Sequence, residues 1–169
     1  MQIYIYKNSF LFMKWKIGWL LFLVVFAFQC SHYDELQKNG KESKHGSKSS
    51  HYHGQDCMTC HNDPDNAASK DGGWWNIAGS IFNDDGDAPF TNATVELWSQ
   101  PNRSGTLYYT LEVDGLGNFY TEKIVTYNGL CYPVVANHDN NDYEAMEPQF
   151  NSGGCNSCHG SSEDVITVD

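Results

Sequence analysis

The chain contains little positive charge. Its 169 residues include 10 Lys and Arg against 21 Asp and Glu, a net charge of -11 with histidine counted as neutral. From Cys57 onward only Lys70, Arg103 and Lys123 are basic, against 17 acidic residues. Such a surface excludes nucleic acid as a partner, because phosphate binding requires Lys and Arg. It favours solubility, and it would also steer basic partner proteins toward the domain in a salt-dependent way.

Long apolar runs and long helical periods are also missing. The longest apolar run, residues 17–28, is shorter than the about 20 residues that a membrane helix needs. Two lysines precede this run, which is the pattern of a secretory signal and predicts a signal peptide over residues 1–29. Met13, which directly precedes the first lysine, is a better start than the earlier methionine.

The apolar run is followed by Cys30, and this arrangement resembles the lipidation site of bacterial lipoproteins. That family prefers a small residue before the cysteine, where this chain has Gln29. The alternative is ordinary cleavage nearby, with Cys30 left as a free thiol. Residues 30–56 are rich in Ser, Gly, Lys and His and cannot bury enough surface to fold alone, which predicts a flexible linker. We expect an exported protein of the periplasm or outer surface, anchored to the membrane through a lipid at Cys30.

Two copies of Cys-x-x-Cys-His, at residues 57–61 and 155–159, point to a specific chemistry. This spacing is typical of c-type haem attachment. The two thiols form thioethers with the haem vinyl groups, and the adjacent histidine binds the iron. We therefore expect two covalently attached haem c groups. They would be held by Cys57, Cys60, Cys155 and Cys158, with His61 and His159 as iron ligands.

Two other chemistries use paired cysteines. Four thiolates bind structural zinc, but 94 residues separate the two pairs here, far more than in zinc ribbons. A thioredoxin-like redox pair belongs to a βαβ context, and this sequence does not show that pattern. Neither chemistry explains a histidine after both pairs. Of the two other cysteines, Cys131 lies in an apolar stretch and is expected to be buried, so no disulfide framework is predicted.

The motifs do not decide the second axial ligand of either iron. His51 and His53 precede the first motif in a polar segment, where they are either solvated or folded over a haem. His138 opens a polar loop, and Met146 lies nine residues before Cys155. We predict six-coordinate iron, with His53 and His138 as the leading histidines and Met146 as the methionine alternative. Methionine raises the redox potential, whereas an open position would bind small molecules.

Between the motifs the pattern is all-β. In residues 107–113 every other side chain, beginning at Leu107, lies on one face of a predicted strand, and apolar and polar residues alternate in 94–98 as well. Turn signals rich in Gly, Asn and Asp separate these runs, which is typical of a small sandwich at about residues 74–136. Short helical turns are expected at the two motifs. Further strands are predicted over residues 75–82, 119–124, 130–136 and 165–168.

Three short patterns connect this stretch with a known fold. Residues 77–82 form a first strand, residues 93–97 carry Ala-x-Val-x-Leu, and residues 114–120 open a later strand with Asp-x-x-Gly-x-Phe. In this order they resemble the transthyretin-like, or carboxypeptidase-regulatory-like, β-sandwich. The whole chain also resembles exported bacterial dihaem cytochromes in which such a sandwich lies between two haem sites. The resemblance implies a dihaem domain over residues 57–169.

Three functions are compatible with these features. The first is an electron carrier among redox partner proteins of the cell envelope. The second is a haem enzyme or small-molecule sensor with an open iron site, and the third is a surface β-module in which haem is secondary. Fold alone does not choose among them. No acid–base constellation stands out beyond the motifs, so we predict an electron carrier and not an enzyme.

Overall fold

The structure is a computed structural model that describes residues 37–62, 74–127, 130–139, 141–146 and 152–169. The chain divides into two compact units, Met1–Asn39 and Gly40–Asp169. The predicted signal peptide and Cys30 lie outside the described residues. Among the helices that are described, none has the length and apolar character needed to cross a membrane.

The described part of the chain contains six strands in two antiparallel sheets: β1 Ile77–Ser80, β2 Thr94–Gln100, β3 Ser104–Glu112, β4 Asn118–Thr121, β5 Tyr132–Ala136 and β6 Tyr143–Ala145. β1 pairs with β4 in a two-stranded sheet, and the other four strands form a sheet in the order β3-β2-β5-β6. The all-β prediction is confirmed. The short helical turns predicted at the two motifs are present as single 3-10 turns, Cys57–Thr59 and Cys155–Ser157.

One apolar core joins the two sheets. Val95 and Leu97 of β2 point into it, together with Leu111 of β3 and Phe119 of β4. The two core residues of β2 alternate as the pleat of a strand requires, although Glu96 between them is also buried, on the opposite face. β1 departs from that pattern because all four of its residues are buried. Its Ala-Gly-Ser sequence is small enough to be covered on both faces, and the second face receives the segments that carry the motifs.

Three of the further strands predicted are confirmed in shorter form, as β1, β4 and β5. The strand predicted over residues 165–168 is wrong, because this segment forms only an isolated bridge between Thr167 and Phe82. Phe82 N donates to the Ile166 carbonyl, and Val168 N donates to the Phe82 carbonyl. The chain turns away directly after Phe82, so no longer ladder forms. β6 was not predicted, because three residues are too few to show alternation.

The alternation predicted for residues 107–113 is interrupted by an irregularity in the pairing of β2 with β3. Leu97 pairs with Tyr109, but the next residue, Trp98, pairs with Leu107. A shift of one residue turns the side chains beyond it to the other face. Leu111 is therefore 1% exposed, whereas Leu107 is 42% exposed. The single face predicted from the sequence does not extend to Leu107.

Residues 40–56, which the composition predicts as a flexible linker, instead pack along the domain. Glu42 forms an antiparallel bridge with Thr121, on the edge of β4 that β1 leaves unpaired. The Glu42 carboxylate accepts hydrogen bonds from the Tyr109 hydroxyl and the Lys123 ammonium. Composition misses this docking because the segment is held by backbone and ionic bonds at a sheet edge, and not by buried apolar surface.

Substitution of Leu111 by Ala is expected to lower the free energy of unfolding by about 2–5 kcal/mol, because it leaves a cavity in the core. Leu107→Ala, the same change on the same strand, is expected to cost about 0.5 kcal/mol or less. Urea unfolding followed by circular dichroism measures both. Equal losses at the two positions would contradict the core assignment.

Candidate cofactor site

The two Cys-x-x-Cys-His motifs adopt the same local conformation. In each, the carbonyl of the first cysteine accepts hydrogen bonds from the N–H of the second cysteine at 3.2 Å and from the N–H of the histidine at 3.0 Å. The carbonyls of Asp56 and Gly154 accept the N–H of Thr59 and Ser157, again both at 3.2 Å. In a 3-10 turn, side chains three residues apart eclipse each other. Both thiols of each motif therefore project from the same side of the turn.

The fold places the two motifs next to each other on strand β1. Gly154 pairs with Ala78 in a parallel bridge, and Ala78 N donates to the Gly153 carbonyl at 2.9 Å. A methyl group on Gly154 would lie 2.9 Å from Cγ of Met58, which lies within the first motif. The turn of the first motif therefore packs directly on the residue that precedes the second, although most of the sheet residues lie between them in sequence.

This close approach depends on missing side chains. A Cβ atom on Gly79 of β1 would lie 2.9 Å from Cβ of Cys155, and closer still to the ring of Phe119. A Cβ atom on Gly153 would overlap the carbonyl of Asn76. Glycine is the residue that allows backbone to approach neighbouring groups this closely. The second motif can lie on β1 only because both positions lack a side chain.

The His159 ring is oriented by a hydrogen bond to the main chain. Its Nδ1 lies 2.7 Å from the carbonyl oxygen of Asp164. Because a carbonyl only accepts hydrogen bonds, Nδ1 carries the proton and Nε2 presents a lone pair. Metal-binding histidines are typically held in this way by a backbone carbonyl. The loop that supplies the carbonyl is itself closed by hydrogen bonds from the N–H groups of Ser162 and Glu163 to the carbonyl of Cys158.

A cavity of about 360 Å³ lies against the second motif. Cys155, Cys158 and His159 form one side of it, and Glu144 and Met146 also line it. Met146 is held there by its N–H, which donates to the carbonyl of Pro133 at 2.9 Å. Most of the remaining wall is apolar and comes from Val95, Phe119, Pro133, Val135, Val165 and Ile166. The cavity is within the size range of small-molecule and cofactor sites.

The histidine of the first motif lies in a different environment. His61 is 4% exposed, and its ring stacks on Trp75 with centroids 3.7 Å apart and an interplanar angle of 2°. Trp75 stacks in turn on Tyr120 at 4.4 Å. The backbone N–H of Trp75 donates to the His61 carbonyl at 3.0 Å, which fixes the two residues together. The ring of His51 lies 6.0 Å from that of His61.

The three predicted distal ligands are separated by the fold. Met146 lines the cavity of the second motif. His53 lies with Nε2 3.0 Å from the carbonyl of Ile81 and its ring against Phe82, so that nitrogen is already engaged. His138 is exposed beside His45, with ring centroids 6.4 Å apart. No sequence pattern predicts that Trp75 stacks on His61 or singles out His51 among the histidines, because only tertiary contacts bring either residue to His61.

The motif thiols differ in exposure within each pair. Cys60 and Cys158 are exposed, whereas Cys57 and Cys155 are half-buried, and none of the described cysteines forms a disulfide. Burial raises the pKa of Cys57 to about 11 and that of Cys155 to about 12. The nearby Cys57 thiol also contributes to the raised pKa of Cys155, in agreement with the packing of the two motifs. Cys131 is fully buried as expected, and burial raises its pKa to about 11.

Within the described residues, no three His, Cys, Asp or Glu side chains are gathered into a group that could hold a metal ion.

Comparisons with protein-family models, with curated proteins and with solved structures find no match to this chain. The function must therefore be argued from the geometry of the site.

In the haem-free chain at pH 8, iodoacetamide is expected to modify Cys60 and Cys158 first. Cys57 and Cys155 should react at least roughly tenfold more slowly. The thiolate is the reactive form, and the raised pKa values of Cys57 and Cys155 keep them protonated at this pH. Their rates should still rise between pH 8 and pH 10, since both pKa values lie above that range. Peptide mapping by mass spectrometry reports each site.

The urea-unfolded chain is the control for this experiment, because burial no longer distinguishes the thiols there. Equal rates at Cys155 and Cys158 in the folded chain would contradict the arrangement described.

Proposed function

We propose that this protein is an exported dihaem c-type cytochrome that transfers electrons in the bacterial cell envelope. One observation carries the proposal. Two Cys-x-x-Cys-His motifs from opposite ends of the domain adopt the same hydrogen-bonded turn, to within 0.1 Å in three bonds, and pack against each other on β1. A pair of redox centres that exchange electrons needs such proximity, whereas two unrelated binding sites do not.

The residues at the second motif fit a covalently bound haem. His159 would hold the iron through Nε2, because its Nδ1 proton is held by the Asp164 carbonyl. The cavity beside it has mostly apolar walls, as a porphyrin face requires. Three buried side-chain atoms in the described part of the chain have no hydrogen-bond partner: Asn156 Oδ1 and Trp75 Nε1, which lie in or next to the motifs, and Asp114 Oδ2, which does not. Buried polar groups are normally paired, and a bound group would supply partners for the first two.

The roles of the chain's own residues follow from this arrangement. When bound, haem c supplies a one-electron iron couple whose potential depends on the axial ligands. Cys57 and Cys60 would anchor one haem and Cys155 and Cys158 the other, with His61 and His159 as proximal ligands. Met146 would be the further iron ligand of the second haem, since it is the one predicted distal ligand that lines the same cavity as His159.

The surroundings of the site support a carrier. With three basic and 17 acidic residues from Cys57 onward, the domain would favour encounter with basic redox partners. We further propose a transthyretin-like sandwich as the fold, supported by the two sheets over one core and by the turn at Asp114, whose Oδ1 accepts the N–H groups of Leu116 and Asn118. Export and a lipid at Cys30 complete the proposal and rest on the sequence alone.

A second candidate is a haem-based sensor or enzyme with an open iron site. The cavity beside His159 favours it, because a space of about 360 Å³ would admit a small molecule if Met146 did not bind the iron. Carbon monoxide separates the two functions. A carrier with two six-coordinate irons leaves the reduced spectrum unchanged on addition of the gas, whereas a sensor binds it at one haem.

Intact-mass analysis of the mature protein, together with a haem stain after denaturation, tests covalent attachment. We expect two haem masses in the unmodified protein and one in the double variant Cys155→Ala/Cys158→Ala, because both thioethers that would anchor the second haem are then lost. Cys131→Ala is the control, since Cys131 is a buried core cysteine that belongs to neither motif, and it should retain two haems. An unmodified protein without covalent haem would contradict the proposed function.

Met146→Leu is expected to lower one of the two midpoint potentials and to let one reduced haem bind carbon monoxide. Leucine keeps the volume of methionine but removes the sulfur that raises the potential. Met58→Leu is the control, because Met58 packs on Gly154 and not in the cavity. Spectroelectrochemical titration measures both potentials, and an unchanged pair in Met146→Leu would exclude Met146 as a ligand.

A further inference from the structure

We infer that His51 is the second axial ligand of the iron held at the first motif, opposite His61. This inference rests on the proposed function, because it names a ligand of the same haem. It differs from the prediction made from the sequence, which favoured His53 and His138.

The first argument is distance. The rings of His51 and His61 have centroids 6.0 Å apart and planes tilted by 37°. With metal–nitrogen bonds of about 2 Å, two imidazoles on opposite sides of one ion have centroids roughly 6 Å apart. The tilt is compatible with a shared ion, because each ring binds through a single nitrogen and can rotate about that bond.

The second argument is that the backbone of His51 is held in place from strand β4. The Asn118 side-chain amide donates to the Ser50 hydroxyl at 2.9 Å and to the His51 carbonyl at 3.4 Å. Asn118 Oδ1 in turn accepts the Ser80 hydroxyl at 2.7 Å, and Ser80 Oγ accepts the N–H of Gly54 at 2.9 Å. This buried polar cluster joins both sides of the 51–54 turn to the ends of β1 and β4.

The third argument is the shape of the chain between His51 and the first motif. Tyr52 has a φ of 51°, a left-handed conformation that is uncommon for a large side chain. The turn is closed by a hydrogen bond from Gln55 N to the Tyr52 carbonyl at 3.1 Å. It reverses the chain so that His51 faces the motif that follows. Unfavourable backbone conformations of this kind persist where the surrounding structure requires them, and they concentrate at functional sites.

The other histidines are less suited to this position. His53 Nε2 is engaged by the Ile81 carbonyl, and a methyl group on Gly117 would lie 2.8 Å from that nitrogen, so the ring is wedged between strands. His138 contacts His45, whose Nε2 lies 3.0 Å from the Ala93 carbonyl. Neither histidine contacts a motif residue in the ring contacts described.

A consequence is that the two irons have different ligands. The first would have two histidines, and the second would have His159 and Met146. Because methionine raises the redox potential of a haem, the second haem would have the higher potential. Electron transfer would then run from the first haem to the second.

His51→Ala, prepared as the mature exported protein, tests the inference. We expect two covalent haems by intact mass, but one of the two should become high-spin in the oxidised spectrum and bind carbon monoxide when reduced. Added imidazole should restore the low-spin spectrum, which a purely structural role for His51 would not produce. His53→Gln and His138→Ala are the controls and should remain fully low-spin.

A His51→Ala protein that stays fully low-spin and does not bind carbon monoxide would overturn the inference. A high-spin haem that binds carbon monoxide in either control would also overturn it. If His51→Ala does not accumulate with haem, His51→Met replaces it, because methionine still binds iron. One midpoint potential should then rise, and two unchanged potentials would overturn the inference. Absence of covalent haem from the unmodified protein is a different result, which refutes the proposed function itself.

Discussion

The close packing of the second motif on strand β1 is the contact on which the candidate site depends. The Ala78 N–H reaches the Gly153 carbonyl, and Cys155 lies over Gly79, only because these positions have small side chains or none. Backbone approach at this distance cannot tolerate a Cβ atom. Without it, the second motif would lose its position beside the first, and the cavity beside His159 would lose one of its walls.

The polar segment before the first motif has the complementary role. It occupies the edge of β4 that β1 does not, through the Glu42–Thr121 bridge and the hydrogen bonds of Ser43 with Tyr120. An unpaired strand edge in a sheet of two strands would otherwise expose its N–H and C=O groups. The same docking orders residues 50–54 and places His51 beside His61. A segment that buries almost no apolar surface therefore contributes to both the stability of the sheet and the geometry of the site.

The two halves of the site are alike in backbone and unlike in surroundings. Both motifs make the same turn, but His61 is buried in an aromatic stack whereas His159 borders a mostly apolar cavity. Under the proposed function, these two environments would give two identical haems different potentials, since axial ligands, burial and hydrogen bonding set that property. The asymmetry is built by the β-sheets and not by the motifs.

Much of this structure could be predicted from local sequence patterns. The two pentapeptides determined the helical turns at Cys57 and Cys155, and alternation determined β2 and most of β3, because a 3-10 turn and a strand face depend on residues a few positions apart. Alternation failed at Leu107, where the strand pairing shifts register, and at residues 165–168, where no partner strand follows Phe82. Only the tertiary structure decided that the two motifs touch, that residues 40–56 pack on β4, and which histidine lies beside His61. These are contacts between residues far apart in sequence, and they depend on backbone hydrogen bonds and missing Cβ atoms that no local pattern records.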